Sequence, residues 1–590
     1  MQSVLQYRRI GLAVQQQLER DQEKAIALAT RHIRHHQKVP QRSAVAAGSG
    51  TPTDSGESKA DDDEEEEVDN VAEEEDQDSF PLDAERYHEE LAKLETLRSV
   101  YSQRTALGYS MTGVDARHRA TNESETGHVF VVGWEGEEDP LNPHNWSWGR
   151  RIWATTVVSL IAIAGTAASS IDAAVIPQYS AYWHISEVAA TLATAMYLFG
   201  FALGSQFAGP FSETLGRNVI YISTMLIYML FLMGCGLAPS FGAHIVLRFL
   251  AGVFASSPLT VAGGTIADLW NALEKTYAFS LYAFLGFSGP LMGPVIGSYI
   301  GPSGLSWRWC EWLMLILSSI VLVIIVLAQP ETYAPLLLSW KAKHLRRITG
   351  DDRFRSPLEV RRTSFLTRLR IAIYRPFVMI WTEPIILLMS LYLSILYIVL
   401  FTFFVAFSYV FTDTYGISQG LTNIIWVAVF VGFWPLGLIL PLIWHWTLKD
   451  LQTQSAATGT TVTAPRPETR LWFAMLGGAI CLPISLFWMG WTDYRSISVW
   501  SPIVAAGLFG YSVITLFIAV YMYIIDSYAV YAASALTFVT VTRYLAAGGF
   551  TIIAVPWFDH LGVHYTLTIL GCVSAAMAPV PFGKWYFASL

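Results

Sequence analysis

Two charges stand where apolar sequence should exclude them. Arg248 interrupts Ile245-Val246-Leu247 and Phe249-Leu250-Ala251, and Asp172 is the only acid between Trp153 and Ile176. Inside hydrocarbon a guanidinium costs about 2.5 kcal/mol or more, so it must face a cavity or a partner. A carboxylate held by such a guanidinium can take up a proton and so release it, which makes Asp172 a candidate proton site. The two stretches run in opposite directions. At about 1.5 Å per residue, Arg248 lies roughly 9 Å below the start of its stretch and Asp172 roughly 28 Å along its own, both near the same end. A solvated acid at a helix mouth is the other reading of Asp172. Arg543 is also deep within an apolar stretch, with no partner evident. Arg308, Glu311, Glu383 and Asp526 fall at stretch ends, where charges usually snorkel or anchor.

A second pattern is Gly286-Phe-Ser-Gly289-Pro290-Leu-Met-Gly293-Pro294-Val-Ile-Gly297. Gly and Pro cost about 1 and 3 kcal/mol in a helix interior. Gly289, Gly293 and Gly297 recur every four residues, giving one bare helix side that another helix can approach closely. Pro290 and Pro294 bend the segment and free carbonyls that a neighbour must cover. A generic helix–helix seam would explain the glycines alone. A third pattern, Gly209-Pro-Phe-Ser-Glu213-Thr-Leu-Gly216-Arg217, is a short turn whose charges can interlock with helix ends, and Asp268 is the acid to pair with Arg217. Aromatic residues crowd two later stretches, among them Tyr392, Tyr397, Phe404, Phe509 and Tyr511. Such runs either pack or face lipid, or line a cavity suited to a flat apolar ligand. No nucleophile–base pairing, metal-ligand spacing or phosphate-cradling loop is present, so catalytic and metal residues are none.

The elements that carry these residues are membrane spans. Of 590 residues, 53% are hydrophobic and 14% charged, with a mean hydropathy of +0.39, a composition that excludes a soluble multidomain chain. Twelve spans are expected near 153–176, 187–208, 219–238, 242–266, 278–300, 309–328, 383–410, 422–444, 472–491, 499–524, 530–554 and 562–582. This divides the chain into 1–150, a polar and largely disordered region; 151–329, a first six-helix bundle; 330–382, a basic central loop; and 383–585, a second bundle. Residues 61–76 hold twelve acids in sixteen positions, a self-repelling run that cannot bury a core. The first 35 residues and 82–100 are candidate surface helices, and 37–60 reads as a flexible linker. Trp146, Trp148 and Trp153 suit the membrane–water interface. Between 331 and 382 lie eleven basic residues, whereas the loops on the other side carry only Arg308 and Arg495. The positive-inside rule then places both termini in the cytosol, which would leave the sequons at Asn122 and Asn145 unmodified.

Together these motifs resemble the major facilitator superfamily, and within it the fungal twelve-span drug:proton antiporters, over about 145–585. Gly209 to Arg217 looks like the family's loop 2–3 motif, with Glu213 in its acidic position. Arg248 matches a span-4 arginine implicated in proton coupling, and Gly289-Pro290 to Gly293-Pro294 and Gly297 looks like the span-5 antiporter motif. Gly263-Gly-Thr-Ile-Ala-Asp268-Leu-Trp270, Pro330-Glu-Thr-Tyr-Ala-Pro335 and Asn142-Pro-His-Asn-Trp146-Ser147 are similar to fungal members. Departures are Ser298 for the motif's last glycine, Thr214 and Asn218 for basic residues, and Val405 where many drug and polyamine relatives carry glutamate.

The resemblance implies an all-α polytopic membrane protein of two pseudo-symmetric six-helix bundles, with a midplane cavity and alternating access. It implies a secondary active efflux pump that exchanges protons for a hydrophobic small molecule. Asp172 and Arg248 would couple the proton, and Tyr392, Tyr397, Phe404, Phe509, Tyr511 and Arg543 would line the cavity. The bare face of span 5 would pack on the opposite bundle as a seal. Val405 favours neutral, lipophilic cargo over polycations. No cofactor is expected beyond the proton gradient, and no nucleic-acid partner. A monomer in the plasma membrane is the expected state. An uptake symporter, a polyamine exporter and a non-transporting receptor or scaffold are the alternatives.

Overall fold

A computed structural model of the chain describes residues 1–37, 114–118, 128–300, 302–360, 365–459, 464–528 and 531–583. The acidic run 61–76, the linker, the helix expected at 82–100 and the sequon at Asn122 lie outside these residues. Two compact units are present. The first holds every long apolar helix found among the described residues.

Its spans are α1 (Trp148–Trp183), α2 (Glu187–Leu215), α3 (Arg217–Leu237), α4 (Phe241–Leu269), α5 (Lys275–Ile300), α6 (Arg308–Ala328), α7 (Pro384–Thr414), α8 (Gln419–Thr458), α9 (Pro467–Trp491) and α10 (Trp500–Tyr528). A last continuous segment, Ala532–Gly583, makes eleven among the described residues. Its 52 residues would extend about 78 Å as one helix, more than twice the hydrocarbon thickness. It reverses at Gly562, where φ is +70° and ψ 174°, and the Thr566 hydroxyl donates back to the Trp557 carbonyl at 3.4 Å. The segment is therefore two spans, α11 (532–561) and α12 (563–583).

Local sequence sets the ends and bends. Ser186 and Ser240 accept from the N–H groups of Ala189 and Ala243 at 3.2 and 3.3 Å, capping α2 and α4. α1 tightens into a 3-10 turn at Asp172–Val175. The bundles meet along two interfaces, α2 with α11 and α5 with α8. A two-fold relating α1–α6 to α7–α12 maps α2 onto α8 and α5 onto α11, so it exchanges these two interfaces. That is the arrangement two parallel six-helix halves require if they are to rock about one central site.

Of the three tryptophans expected at the interface, Trp148 and Trp153 are exposed but Trp146 is buried. The guanidinium of Arg150 lies 3.6 Å over its ring, so Trp146 serves as a packing anchor for the start of α1. The Asn145 amide donates to the carbonyls of Glu137 and Asp139 at 2.6 and 3.0 Å.

The second unit contains Ile10–Gly136 and Lys341–Val360. The N-terminal helix Gln2–Gln37 runs into it and buries Ile10, Val14 and Leu18, four residues apart along one face. A small sheet completes it: β1 (Val114–His118) pairs antiparallel with β2 (His128–Val132), and β2 pairs parallel with β3 (Phe354–Arg355). This sheet departs from a purely helical expectation. The run Val129-Phe-Val-Val132 is β-branched and aromatic, which suits a strand, and Phe130 packs on Phe354 with ring centroids 5.4 Å apart.

Candidate functional site

Arg248 does meet Asp172, and a second acid joins them. One guanidinium nitrogen donates to both Asp172 Oδ1 and Glu311 Oε1, while the other donates to the Ala168 carbonyl at 2.7 Å. Tyr179 donates to Asp172 Oδ1 at 2.8 Å. His244 Nε2 lies 3.8 Å from Asp172 Oδ2 and 4.0 Å from Glu311 Oε1. Asp172, Arg248, Glu311 and His244 are all 0–1% exposed. The rings of Tyr179, Trp183, Trp307 and His244, with centroids 4.6–5.4 Å apart, cover the cluster. Glu311 is therefore no mouth anchor. Trp307, packed on Tyr179, Trp183 and His244, belongs to that cover. Donor atoms of Asp172, His244 and Glu311 come within 4.8 Å of one another, but the guanidinium already occupies the place a cation would take.

At the opposite end of this bundle, Arg217 Nε sits 3.1 Å from Asp268 Oδ2 and its Nη1 donates to Ser212 Oγ at 2.6 Å. Gly209 lies on α2 a turn before this site. Gly216 adopts φ +95°, and a Cβ there would stand 2.7 Å from Glu331. Glu213, by contrast, is exposed and forms no ion pair among the described residues. The acid that organises the turn is Glu331, which accepts the N–H groups of Arg217 and Asn218 at 3.0 and 3.1 Å, and those of Thr332 and Tyr333 at 3.0 and 2.9 Å. Burial pushes its carboxyl above the usual range, and these backbone donors pull against that shift. Gln6 of the N-terminal helix closes the site by exchanging hydrogen bonds with the Glu331 backbone at 2.9 and 3.0 Å. Glu331→Ala should remove the α3 cap and cost about 1–2 kcal/mol. The expected readout is a lower melting temperature with faster hydrogen exchange confined to the first turn of α3; unchanged exchange there would reject the capping role.

The bare face of α5 packs on α1 of its own bundle, which corrects the expectation of a seam between bundles. Cβ atoms added at Gly289, Gly293 and Gly297 would stand 2.8, 2.6 and 2.8 Å from the carbonyls of Ile163, Ala167 and Ile171. The reason is mutual smallness: α1 offers Ala162, Thr166, Ala167 and Ser170 to the same groove, and Thr166 donates to the Gly286 carbonyl at 3.2 Å. Pro294 lies on the same helix, and Pro290 reaches the central cavity. It is the aromatic face of α5 that meets the second bundle, with Phe284 on Phe430 and Phe287 on Phe517 at 5.3 and 4.7 Å.

Between the bundles lies a narrow cavity of about 20 Å³. Thr166, Tyr282, Phe287, Tyr397, Phe517 and Tyr544 are among its walls. Of the cavity residues expected from sequence, Tyr397 lines it and Arg543 stands directly behind, its guanidinium carbon 4.4 Å from the Tyr397 ring centre. Tyr392, Phe404, Phe509 and Tyr511 do not line it. Phe404 packs on Trp426 and Phe509 on Phe403, at 4.6 and 4.4 Å, and Tyr511 donates to the Leu476 carbonyl at 2.8 Å. The face of α7 that meets the cavity is Tyr397-Leu400-Phe401, and the next turn already points at α8.

Both ends of the cavity are closed. On the side of the α2–α3 turn, Arg470 bridges the bundles: its Nε lies 2.6 Å from Asp526 Oδ2, while its other nitrogens donate to Thr276 Oγ1 at 2.5 Å and the Ala272 carbonyl at 2.6 Å. At the far end Gln419 donates to the Ala174 carbonyl at 2.5 Å. Asp526, read from sequence as a span-end anchor, is thus half of a buried latch.

Two six-helix halves around a closed central cavity, with a charged cluster buried in one of them, form the frame of a membrane transporter. Residues 157–551 match the family model described as Major Facilitator Superfamily. The chain belongs to that superfamily. It is 47% identical over 483 residues to the MFS-type transporter kojT of Aspergillus flavus, covering 80% of this chain and 84% of that one. It is 32% identical to the citrinin biosynthesis cluster MFS transporter mrr1 of Monascus ruber, over 80% and 94% of the two chains. The proton:xylose symporter XylE bound to 6-bromo-6-deoxy-D-glucose superposes with a TM-score of 0.53 at 14% identity, over 73% of this chain and 95% of that one. At that identity the likeness concerns the fold alone. The protein is thus a multi-pass membrane transporter of the fungal secondary-metabolite type, acting on small molecules.

Proposed function

We propose that the protein exports a small, ring-bearing organic molecule in exchange for protons, through alternating access to the central cavity. The observation that carries this reading is the Asp172–Arg248–Glu311 cluster. Two carboxylates and one guanidinium leave one surplus negative charge in a sealed, apolar chamber, where an uncompensated charge is strongly disfavoured. One proton restores neutrality. His244 Nδ1 lies 3.3 Å from the Cys235 carbonyl, and its Nε2 faces both acids. Losing that proton outward or inward changes what Arg248 must hold, and α1, α4 and α6 carry that change to the cavity wall at Thr166 and Leu259.

Supporting export, the α5 Gly/Pro pattern resembles the antiporter motif, and the Monascus ruber relative is named for a biosynthesis cluster. Cargo contacts would come from the rings of Tyr282, Phe287, Tyr397, Phe517 and Tyr544. The energy source is the proton gradient; the reading requires no catalytic step, metal or cofactor. We place the protein as a monomer in the plasma membrane, with both termini and the basic central loop in the cytosol. Comparing organic-soluble compounds in medium and cells, for wild type and Asp172→Asn, tests this. At least one compound should be depleted from wild-type cells only, and a protonophore should erase the difference. Inward accumulation would make the protein an uptake symporter, and indifference to the protonophore would remove proton coupling.

A further inference from the structure

Among the described residues, five arginines of the first unit are buried: Arg151, Arg217, Arg248, Arg470 and Arg543. Four of them hold a carboxylate, respectively Glu274, Asp268, Asp172 with Glu311, and Asp526. Arg543 is the exception. It is fully buried, and none of its three side-chain nitrogens has a hydrogen-bond partner. Its guanidinium is fenced only by rings, 4.4 Å from Tyr397, 4.8 Å from Tyr544, 5.1 Å from Tyr521 and 5.4 Å from Phe517. Ring faces ease a buried cation but do not neutralise it. Three of the four rings, those of Tyr397, Phe517 and Tyr544, line the central cavity. From the other bundle Tyr282 reaches the same cavity, and its hydroxyl is likewise without a partner. No acid lines that cavity.

We propose that Arg543 is the recognition site for an oxyanion on the cargo, so that the transported molecule is a flat organic acid carrying a carboxylate or an ionised enol or phenol. This rests on the transport reading and names its substrate class. The argument is one of supply. A planar guanidinium presents donors in a fork that fits a carboxylate, and a buried one without a counter-charge leaves those donors unmet. The protein provides a counter-charge for each of the other four buried arginines described in this unit and withholds it here, beside the cavity. A turn of the Tyr397 or Tyr544 ring opens the guanidinium to the cavity, where the acid would meet Arg543 from the second bundle and the Tyr282 hydroxyl from the first. Cargo would thereby tie the two bundles together while its ring stacks on Phe287 and Phe517. The site would reject cations outright, in keeping with Val405 standing where a glutamate would favour them. Neutral cargo, the expectation drawn from Val405 alone, gives way to acidic cargo.

The test is equilibrium binding to the full-length protein in detergent, read by tryptophan-fluorescence melting. Probes are benzoate, salicylate and 2-naphthoate, each against its own carboxamide, in low-salt buffer with chloride titrated separately. At least one acid should stabilise the wild type and bind at least about tenfold more tightly than its amide. Arg543→Lys should weaken that preference and Arg543→Gln erase it, while the ligand-free Arg543→Gln protein melts no lower than wild type because a buried charge has been removed. Acids that bind no better than their amides, a preference that survives Arg543→Gln, or equal stabilisation by chloride alone would each overturn the proposal. Acid binding that depends on Arg543 without protonophore-sensitive export would instead sink the transport reading and leave this site standing.

Discussion

Gly293→Leu is expected to abolish transport and to leave little monodisperse protein in detergent. Position 293 has no room on its α1 side: an added Cβ would already stand 2.6 Å from the Ala167 carbonyl and 3.0 Å from the Ile171 backbone nitrogen. These are backbone atoms in the middle of a helix, so neither a rotamer change nor a side-chain shift relieves the clash. The two helices must separate, and separation opens the seam that Gly289 and Gly297 close on either side. The damage spreads in a definite direction. Ser170 and Ile171 immediately precede Asp172, so moving α1 away from α5 also drags Asp172 off Arg248. The substitution therefore reaches the proposed proton site, contrary to what a seam between bundles would imply. Gly293→Ala should show a milder form of the same defect, with a lower melting temperature and slower transport. Gly437→Leu is the control, because an added Cβ there meets nothing within 4 Å. Size-exclusion profiles and melting curves of the three variants decide the matter; a well-folded Gly293→Leu protein with normal flux would reject the α1–α5 seam.

How far such features are legible in sequence depends on how improbable they are. A charge within an apolar run is rare enough to be noticed, and a rise of about 1.5 Å per residue converts its position into depth. That is why Arg248 and Asp172 could be set at one level before any coordinates. Glu311 carries the same chemistry but lies three residues from Arg308, at a span edge where charges are commonplace. Only its cover, Trp183 and Trp307 brought together from α1 and the start of α6, makes it an interior residue, and that pairing has no local signature. The α2–α3 turn divides likewise. Its Arg217–Asp268 pair follows from opposite charges at neighbouring helix ends, whereas Glu331 is more than a hundred residues away in sequence and binds backbone, not a charge.

Glycines at every fourth position announce a close neighbour without naming it. The partner was nonetheless written in α1, where Ala162, Thr166, Ala167 and Ser170 form a complementary narrow face. Cavity residues are the least legible. A span that is apolar all round has no preferred side, so Tyr397 and Phe404 look equivalent until α8 and α11 are in place. The count of spans turns on one residue as well: Gly562 adopts a left-handed φ inside what is otherwise unbroken helix, a reversal that hydropathy alone registers as a shallow dip. Arg543 was conspicuous in sequence, and what could not be read was its lack of a partner, since absence of contact is a property of the whole fold.

Neutralising either acid of the Asp172–Arg248–Glu311 cluster is expected to uncouple transport from the proton gradient. If one proton moves per cargo molecule, a difference of one pH unit is worth about 1.4 kcal/mol and supports roughly tenfold accumulation. In proteoliposomes loaded with the compound identified by the export comparison, wild type should approach that ratio. Glu311→Gln and Asp172→Asn each fix the cluster in its charge-balanced form, one carboxylate against one guanidinium. Accumulation should therefore fall to near unity, while exchange of labelled for unlabelled cargo persists at a measurable rate. Arg248→Met should behave differently. It leaves two carboxylates in a closed chamber with only His244 and Tyr179 beside them, and removing one partner of a buried ion pair costs about 3–5 kcal/mol. That variant should lose exchange and accumulation together and should melt well below wild type. Combining Arg248→Met with Asp172→Asn and Glu311→Gln should recover part of the lost stability without restoring accumulation, because the charge conflict is gone but so is the proton site. The non-additivity is the informative quantity, since residues that share one charge balance cannot contribute independently. Equal accumulation by wild type, Glu311→Gln and Asp172→Asn would detach the proton from this cluster.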